Sequence, residues 1–162
     1  MKRILQIYTN SSCVYNGKLF ARGGIGIYFP NGEYANQSVV YPTEKLILPP
    51  TNQRCELLAV NHALLIHWLY FRHTPCVIHT DSIYTIKSLT NYCDIWSQNG
   101  WKKFNREDVK NKDLLMPMHV LFSKNKNIDF HLVKEYPNLF DRHSVNHRMA
   151  YAFARKGLGF RS

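Results

Sequence analysis

The sequence predicts an α/β fold: a five-stranded mixed sheet flanked by helices, with three antiparallel strands followed by strands joined in parallel through helical crossovers. Three observations carry this. The first forty or so residues hold three short apolar runs separated by turn residues, the pattern of a meander. From residue 51 onward apolar residues recur at helical spacing. Two further short apolar runs, 76–80 and 128–133, are each reached through such a helical stretch. The chain has 162 residues, no internal repeat and no low-complexity linker, so a single domain over 1–162 is expected.

RILQIYT (3–9) reads as the first strand. LFARGGIGIYF (19–29) reads as the second, its glycines marking close backbone approach or a bulge. The turn Pro30-Asn31-Gly32 leads to a third strand near 33–41. After the loop YPTEKLILPP, a helix starts near Thr51. Leu57, Val60, Leu64, Trp68 and Phe71 give it one apolar face. CVIHT (76–80) is a short buried strand. DSIYTIKSLTNY continues as a second helix, with Asp81 or Ser82 as its cap. A basic, aromatic stretch runs to about residue 110 and a helix covers 111–123. IDFHLV (128–133) is the fifth strand, and a last helix spans 144–156 and ends at Gly157. The first, fourth and fifth strands are then parallel, and sites form beyond the carboxyl ends of parallel strands. Asn10 and Asp81 stand there.

Lys and Arg number 21 against 11 acids, a net charge of +10, the balance of a protein that meets a polyanion, most often nucleic acid. Solubility alone is the plainer reading. A 45% hydrophobic content excludes a disordered chain. MKRILQIY has no long apolar core and no apolar run approaches ~18 residues, so an intracellular protein is expected, neither secreted nor inserted in a membrane. Cys13, Cys55, Cys76 and Cys93 form no C-x-x-C pair and read as reduced, mostly buried thiols. His143 and His147 have i,i+4 spacing. Two histidines alone are a weak metal signal beside the simpler reading of a solvated basic surface.

Six motifs follow one another in a recognisable order: YTNSSC (8–13), TNQRCE (51–56), TDS (80–82), NYCDIWSQNGW (91–101), VKNKDL (109–114) and AYAFARKG (150–157). Together, over roughly residues 4–157, they resemble the type 1 ribonuclease H family. The resemblance implies hydrolysis of the RNA strand of an RNA/DNA hybrid, with two Mg²⁺ ions clamping the scissile phosphate and four carboxylates holding the ions.

Two of those four carboxylates match Glu56 and Asp81, which are retained. The other two fall on Asn10 and Tyr151, so the metal-binding set becomes Glu56, Asp81 and, weakly, Asn10. The family's loop histidine after the fifth strand falls on Glu135. Glu135 or Asp141 is the available replacement oxygen. Four formal negative charges become two. At ~4 Å each lost charge–ion contact is worth several kcal/mol at an intermediate dielectric. Losing ~4 kcal/mol of transition-state stabilisation slows a reaction about a thousandfold. A deliberate Asp-to-Asn exchange would explain Asn10 and leave Tyr151 unexplained, whereas loss by divergence explains both.

The binding residues are of fitting type. The resemblance implies that Cys13 (through its backbone), Asn16, Asn52 and Gln53 read 2′-hydroxyls in the minor groove. A helix cap is the plainer role for Asn52. Thr51 and Asn111 match a pocket for a phosphate of the DNA strand. Tyr92, Trp96 and Trp101 match an aromatic handle, Trp96 against DNA sugars and Trp101 equally well as core. Lys102, Lys103, Arg106, Lys110 and Lys112 surround them, against Glu107, Asp108 and Asp113, and suit a phosphate backbone. The expected protein binds RNA/DNA hybrid or another duplex, with Mg²⁺ weakly held and cleavage lost or strongly weakened. The alternatives are an active Mg²⁺-dependent ribonuclease H and a structural subunit of a larger assembly.

Overall fold

The computed structural model describes residues 2–134 and 140–161. Glu135, read above as a replacement for the loop histidine, lies outside the described residues. Ten elements follow in order: β1 (Leu5–Val14), β2 (Arg22–Tyr28), β3 (Gln37–Val40), α1 (Asn52–Ile66), β4 (Cys76–Thr80), α2 (Ile83–Lys87), α3 (Cys93–Gln98), α4 (Lys112–Lys124), β5 (Ile128–Leu132) and α5 (Arg142–Gly157). The sheet order is β3-β2-β1-β4-β5. β2 pairs antiparallel with β1 and β3, while β4 pairs parallel with β1 and β5, as the sequence predicts.

Several boundaries differ from the reading of the sequence, three of them near the site or in its helices. The first strand does not stop at Thr9. It continues to Val14, so Asn10 sits inside the ladder opposite Gly26 rather than at a turn. The polar run Asn10-Ser11-Ser12 is tolerated there because β2 completes its backbone hydrogen bonds. The long helix after Thr51 ends at Ile66 and widens into a π-helical turn, His67–Phe71. A second such turn, Ser88–Tyr92, links α2 to α3, so the second helix runs further than residue 92.

The two faces of the sheet bury different chemistry. On one face Leu5, Ile7, Ile25, Ile27 and Ile78 meet Leu57, Val60 and Leu64 of α1 and Leu115 and Met118 of α4. β1 alternates, so Gln6, Tyr8 and Asn10 point the other way, toward α5. There the backbone of α5 rides directly on glycine: a Cβ at Gly26 would overlap the Ala150 carbonyl oxygen, and one at Gly24 the Ala154 carbonyl oxygen. Burial beneath this helix, with His143 and His131 adding repulsion, pushes the His79 imidazole down to about 3, so it is neutral at pH 7. Gly26→Ala is therefore expected to lift α5 off the sheet and cost about 3 kcal/mol, the upper part of the overpacking range. Urea unfolding measures it, and an unchanged midpoint would show that the helix yields without loss. No helix among the described residues is long and apolar enough to cross a membrane.

Candidate nucleic-acid interface and carboxylate site

Asn10 of β1 and Asp81, the residue directly after β4, meet at α5. The side chain of Asn10 is fixed on both sides. Its Oδ1 accepts from Ser11 N at 2.8 Å, and its Nδ2 donates to the His147 carbonyl at 3.3 Å and lies 3.4 Å from His147 Nδ1. His147 Nε2 in turn stands 3.8 Å from Asp81 Oδ1. Ser82, not Asp81, caps α2, its hydroxyl accepting from Thr85 N at 3.2 Å, which spares the Asp81 carboxylate that duty. Glu56 is half-buried on α1. Tyr151 stands one turn beyond His147, 38% exposed, with the Arg155 guanidinium 5.8 Å above its ring. The α5 side chain against Asn10 and Asp81 is thus His147, which the sequence offered only as half of an i,i+4 pair.

Paired Mg²⁺ ions want hard oxygen donors and abundant negative charge. Here the amide oxygen at position 10 is committed to Ser11, the neighbouring α5 donor is a nitrogen, and Tyr151 faces solvent. These residues do not fit the two-ion clamp that the four-carboxylate pattern implies.

The proposed minor-groove readers gather at the far end of β1 and the start of α1. Thr51 caps α1, its hydroxyl accepting from Arg54 N at 3.1 Å. Asn52 is therefore not the cap. Its backbone N donates to Asn16 Oδ1 at 3.1 Å, which joins those two residues, and its exposed side chain makes no hydrogen bond among the described residues. Gln53 Oε1 is buried without a hydrogen-bond partner among the described residues, an acceptor whose isolation costs about 1–3 kcal/mol. Cys13 is half-buried against Cys55, and burial pushes its thiol up. All four cysteines are free thiols, as expected.

Behind them lies a cleft of about 680 Å³ that Thr51, Arg54, Lys110, Asn111 and Lys112 help to line. Thr51 and Asn111, paired by the sequence reading, thus share one cleft. Arg54 was not singled out there, yet it organises the wall. Its side chain is 2% exposed and forms a bidentate pair with Asp113 at 2.9 and 2.6 Å. It also donates to Tyr41 Oη at 2.7 Å and Asn111 Oδ1 at 3.3 Å. Asn111, left-handed at φ 59°, donates to Tyr84 Oη at 3.2 Å. The Arg54 guanidinium holds the Asp113 carboxyl below the usual carboxylate range.

The basic stretch 101–109 is a small hairpin-like protrusion closed by the Lys102–Asp108 bridge. Tyr92 and Trp96 lie with ring centroids 5.5 Å apart, Tyr92 exposed and Trp96 partly packed on the core. Trp101 takes the core role, edge-on to His119 at 5.9 Å. Phe104, fully exposed between Lys103 and Asn105, was missed. The lysines are not bare charges: Lys102 and Lys112 both pair with Asp108, and Lys103 pairs with Glu107. Such exposed pairs are weak, because water and salt screen them, and they would yield to a competing anion at little cost.

The family model for RNase H matches residues 2–157. The chain is 34% identical over 137 residues to a probable ribonuclease H of Acanthamoeba polyphaga mimivirus, covering 83% of this chain and 58% of the viral protein. It is 34% identical over 115 residues to mouse ribonuclease H1, covering 71% of this chain and 38% of that one. The chain thus spans about half or less of these relatives' length. It is 31% identical over 149 residues to a ribonuclease H of Clostridium botulinum (strain Hall), covering 88% and 93% of the two chains. Among solved structures, the PFV RNase H domain superposes with a TM-score of 0.71 at 20% identity, covering 97% of this chain and 95% of that one. The foamy viral protease–reverse transcriptase in complex with RNA/DNA hybrid superposes at 0.71 with 19% identity, over 94% of this chain and 20% of that one. At these identities the structural likeness speaks to the fold. With the fold, the motif order and a family match over nearly its whole length in agreement, the chain belongs to the type 1 ribonuclease H family.

Proposed function

We propose that this protein binds RNA/DNA hybrid across the α1 platform and the aromatic handle, holds Mg²⁺ weakly, and cleaves the RNA strand slowly or not at all. The observation that carries the reading is the environment of Asn10. An amide that donates to the His147 carbonyl stands where the family resemblance expects a carboxylate, while Asn16, Asn52 and Gln53 gather at the platform. The net charge of +10 supplies the sequence-independent part of the affinity.

The test is a titration of hybrid against double-stranded DNA of the same sequence, with cleavage read in parallel. Hybrid is expected to bind more tightly. Replacing Asn52 and Gln53 together with Ala removes two hydrogen bonds of about 1 kcal/mol each. The preference should therefore fall by roughly tenfold or more, while affinity for DNA changes little. Equal affinity of the unmodified protein for both duplexes would turn attention to a role in protein contacts.

A working nuclease is the second reading, favoured by one contact. His147 lies 3.8 Å from Asp81, which sets an imidazole beside a carboxylate as a mixed oxygen–nitrogen pair. Cleavage that is absent in Mg²⁺ and present with a divalent ion that accepts nitrogen would select it.

A further inference from the structure

Away from the carboxylate end, three histidines converge on the α5 side of the sheet. His79 of β4 and His131 of β5 are register partners, and their Nδ1 atoms lie 2.9 Å apart. His143, in the first turn of α5, covers both, with ring centroids 4.8 Å from His79 and 4.7 Å from His131. One ring nitrogen from each residue can be taken so that all three lie within 4.8 Å of one another.

The surroundings orient these rings. Gln6 Oε1 stands 2.6 Å from His79 Nε2, so that nitrogen donates and the Nδ1 lone pair is left facing the cluster. Tyr8 stacks on His79 at 4.1 Å with 5° between the planes, and its hydroxyl lies 2.7 Å from His143 Nδ1. An outer acceptor that fixes the tautomer, with packing that fixes the ring plane, is the support that metal-bound imidazoles receive. His79 is buried, and His131 and His143 line a cavity of about 200 Å³ with Lys134, Asp141 and Ser144.

The structure assigns to His79, His131 and His143 a binding site for a transition-metal dication of the zinc class. Imidazole selects such ions over Mg²⁺, which wants oxygen. At Zn–N lengths of ~2.0–2.1 Å, tetrahedral ligand nitrogens lie roughly 3.3 Å apart. Small ring rotations bring the three nitrogens to that spacing. The Tyr8 hydroxyl or a water takes the fourth position. The ion would clamp the first turn of α5 to β4 and β5. His147 stands one turn further along the same helix, against Asn10 and Asp81, so the clamp would also steady a wall of the carboxylate site. The site is separate from the one proposed above in both residues and donor type. The plainer account is a hydrogen-bonded aromatic cluster that fills the flank of the sheet.

Zn²⁺ and Co²⁺ titrations in excess Mg²⁺ decide between them, using the whole chain, Asp81→Asn, His131→Gln and His143→Gln. Circular dichroism checks folding, and the buried His79 is left intact so that folding is preserved. The expected result is one Zn²⁺ per chain, unaffected by Mg²⁺ and by Asp81→Asn. Affinity should weaken roughly tenfold or more in each histidine variant. Co²⁺ should give the visible absorption of a tetrahedral nitrogen site, and Zn²⁺ should raise the unfolding midpoint of the parent but not of the two variants. Absence of stoichiometric binding by the parent would overturn the assignment. So would binding that survives both histidine changes, or binding lost in Asp81→Asn alone, which would put the ion at the carboxylate end.

Discussion

Asp113→Ala is expected to destabilise the fold by about 3 kcal/mol, the low end of the range for stranding a buried charge. The asymmetry of the pair sets both the sign and the size. The Arg54 side chain is 2% exposed and that of Asp113 is 42% exposed. Removing the acid leaves the guanidinium inside the protein with only Tyr41 and Asn111 as partners. Water can follow through the opened side, which keeps the loss below the upper limit near 5 kcal/mol. Replacing both partners by apolar residues of similar size, Arg54→Met with Asp113→Leu, should cost less than Asp113→Ala alone, because no charge is then buried. Denaturant midpoints of the three proteins measure this, and a double change as damaging as the single one would locate the stabilisation in the ion pair itself. The acid side follows from the depressed carboxyl. Because the folded pKa of Asp113 is lowered, its contribution is fully present above the ordinary aspartate value of about 3.9 and is lost only as pH falls through the lower, folded value. The gap between parent and Asp113→Ala should therefore persist at pH 5 and close only in stronger acid.

Arg54 also shows how far sequence alone reaches. TNQRCE carried the family resemblance, and the helix after Thr51 was legible from its apolar period. Extended one turn back, the Leu57–Leu58 stripe lands on Arg54, and a cation on an apolar stripe calls for an acid partner. That signal was present in the sequence and went unread. The strand directions were legible because helical crossovers force parallel pairing, while hairpins force the first three strands antiparallel. The end of β1 was not, since Asn10-Ser11-Ser12 looks like a turn until Gly26 and Gly24 are known to lie opposite and α5 above. His147 was out of reach for the same reason. Its role depends on where α5 crosses β1, and that crossing is set by two glycines on a third element. His79, His131 and His143 lie far apart in the chain, and only the parallel register of β4 and β5 makes the first two neighbours. The motif match places the lost acid at Tyr151, whereas contact with the strand runs through His147.

That difference shapes the largest expected effect, the recovery of cleavage. Asn10→Asp restores an oxygen ligand and a charge, but it also removes the donor that holds the His147 carbonyl and sets a carboxylate oxygen in its place. Without a cation this should cost about 1–2 kcal/mol of stability. With Mg²⁺ present the loss should be offset, because an opposite charge within ~4–6 Å favours the ionised form. Tyr151→Asp alone adds a charge one turn away and should do little. Together the two changes return the formal charge at the site from two to four. If the pair together recovers ~4 kcal/mol of transition-state stabilisation, the double variant should cut a hybrid oligonucleotide in millimolar Mg²⁺ about a thousandfold faster than the parent. The gain should exceed the two single gains summed in free energy, since both groups act on the same ions. Asp81→Asn in the double background is the control and should abolish the recovered activity. Robust, Asp81-dependent cleavage by the unmodified protein would refute the weakened-site reading outright. A double variant that folds, binds hybrid and still does not cut would implicate the imidazole between Asn10 and Asp81. His147→Ala in that background then clears the space, and continued inactivity would mean that the seat of α5 on Gly24 and Gly26 holds position 151 too far from the strand.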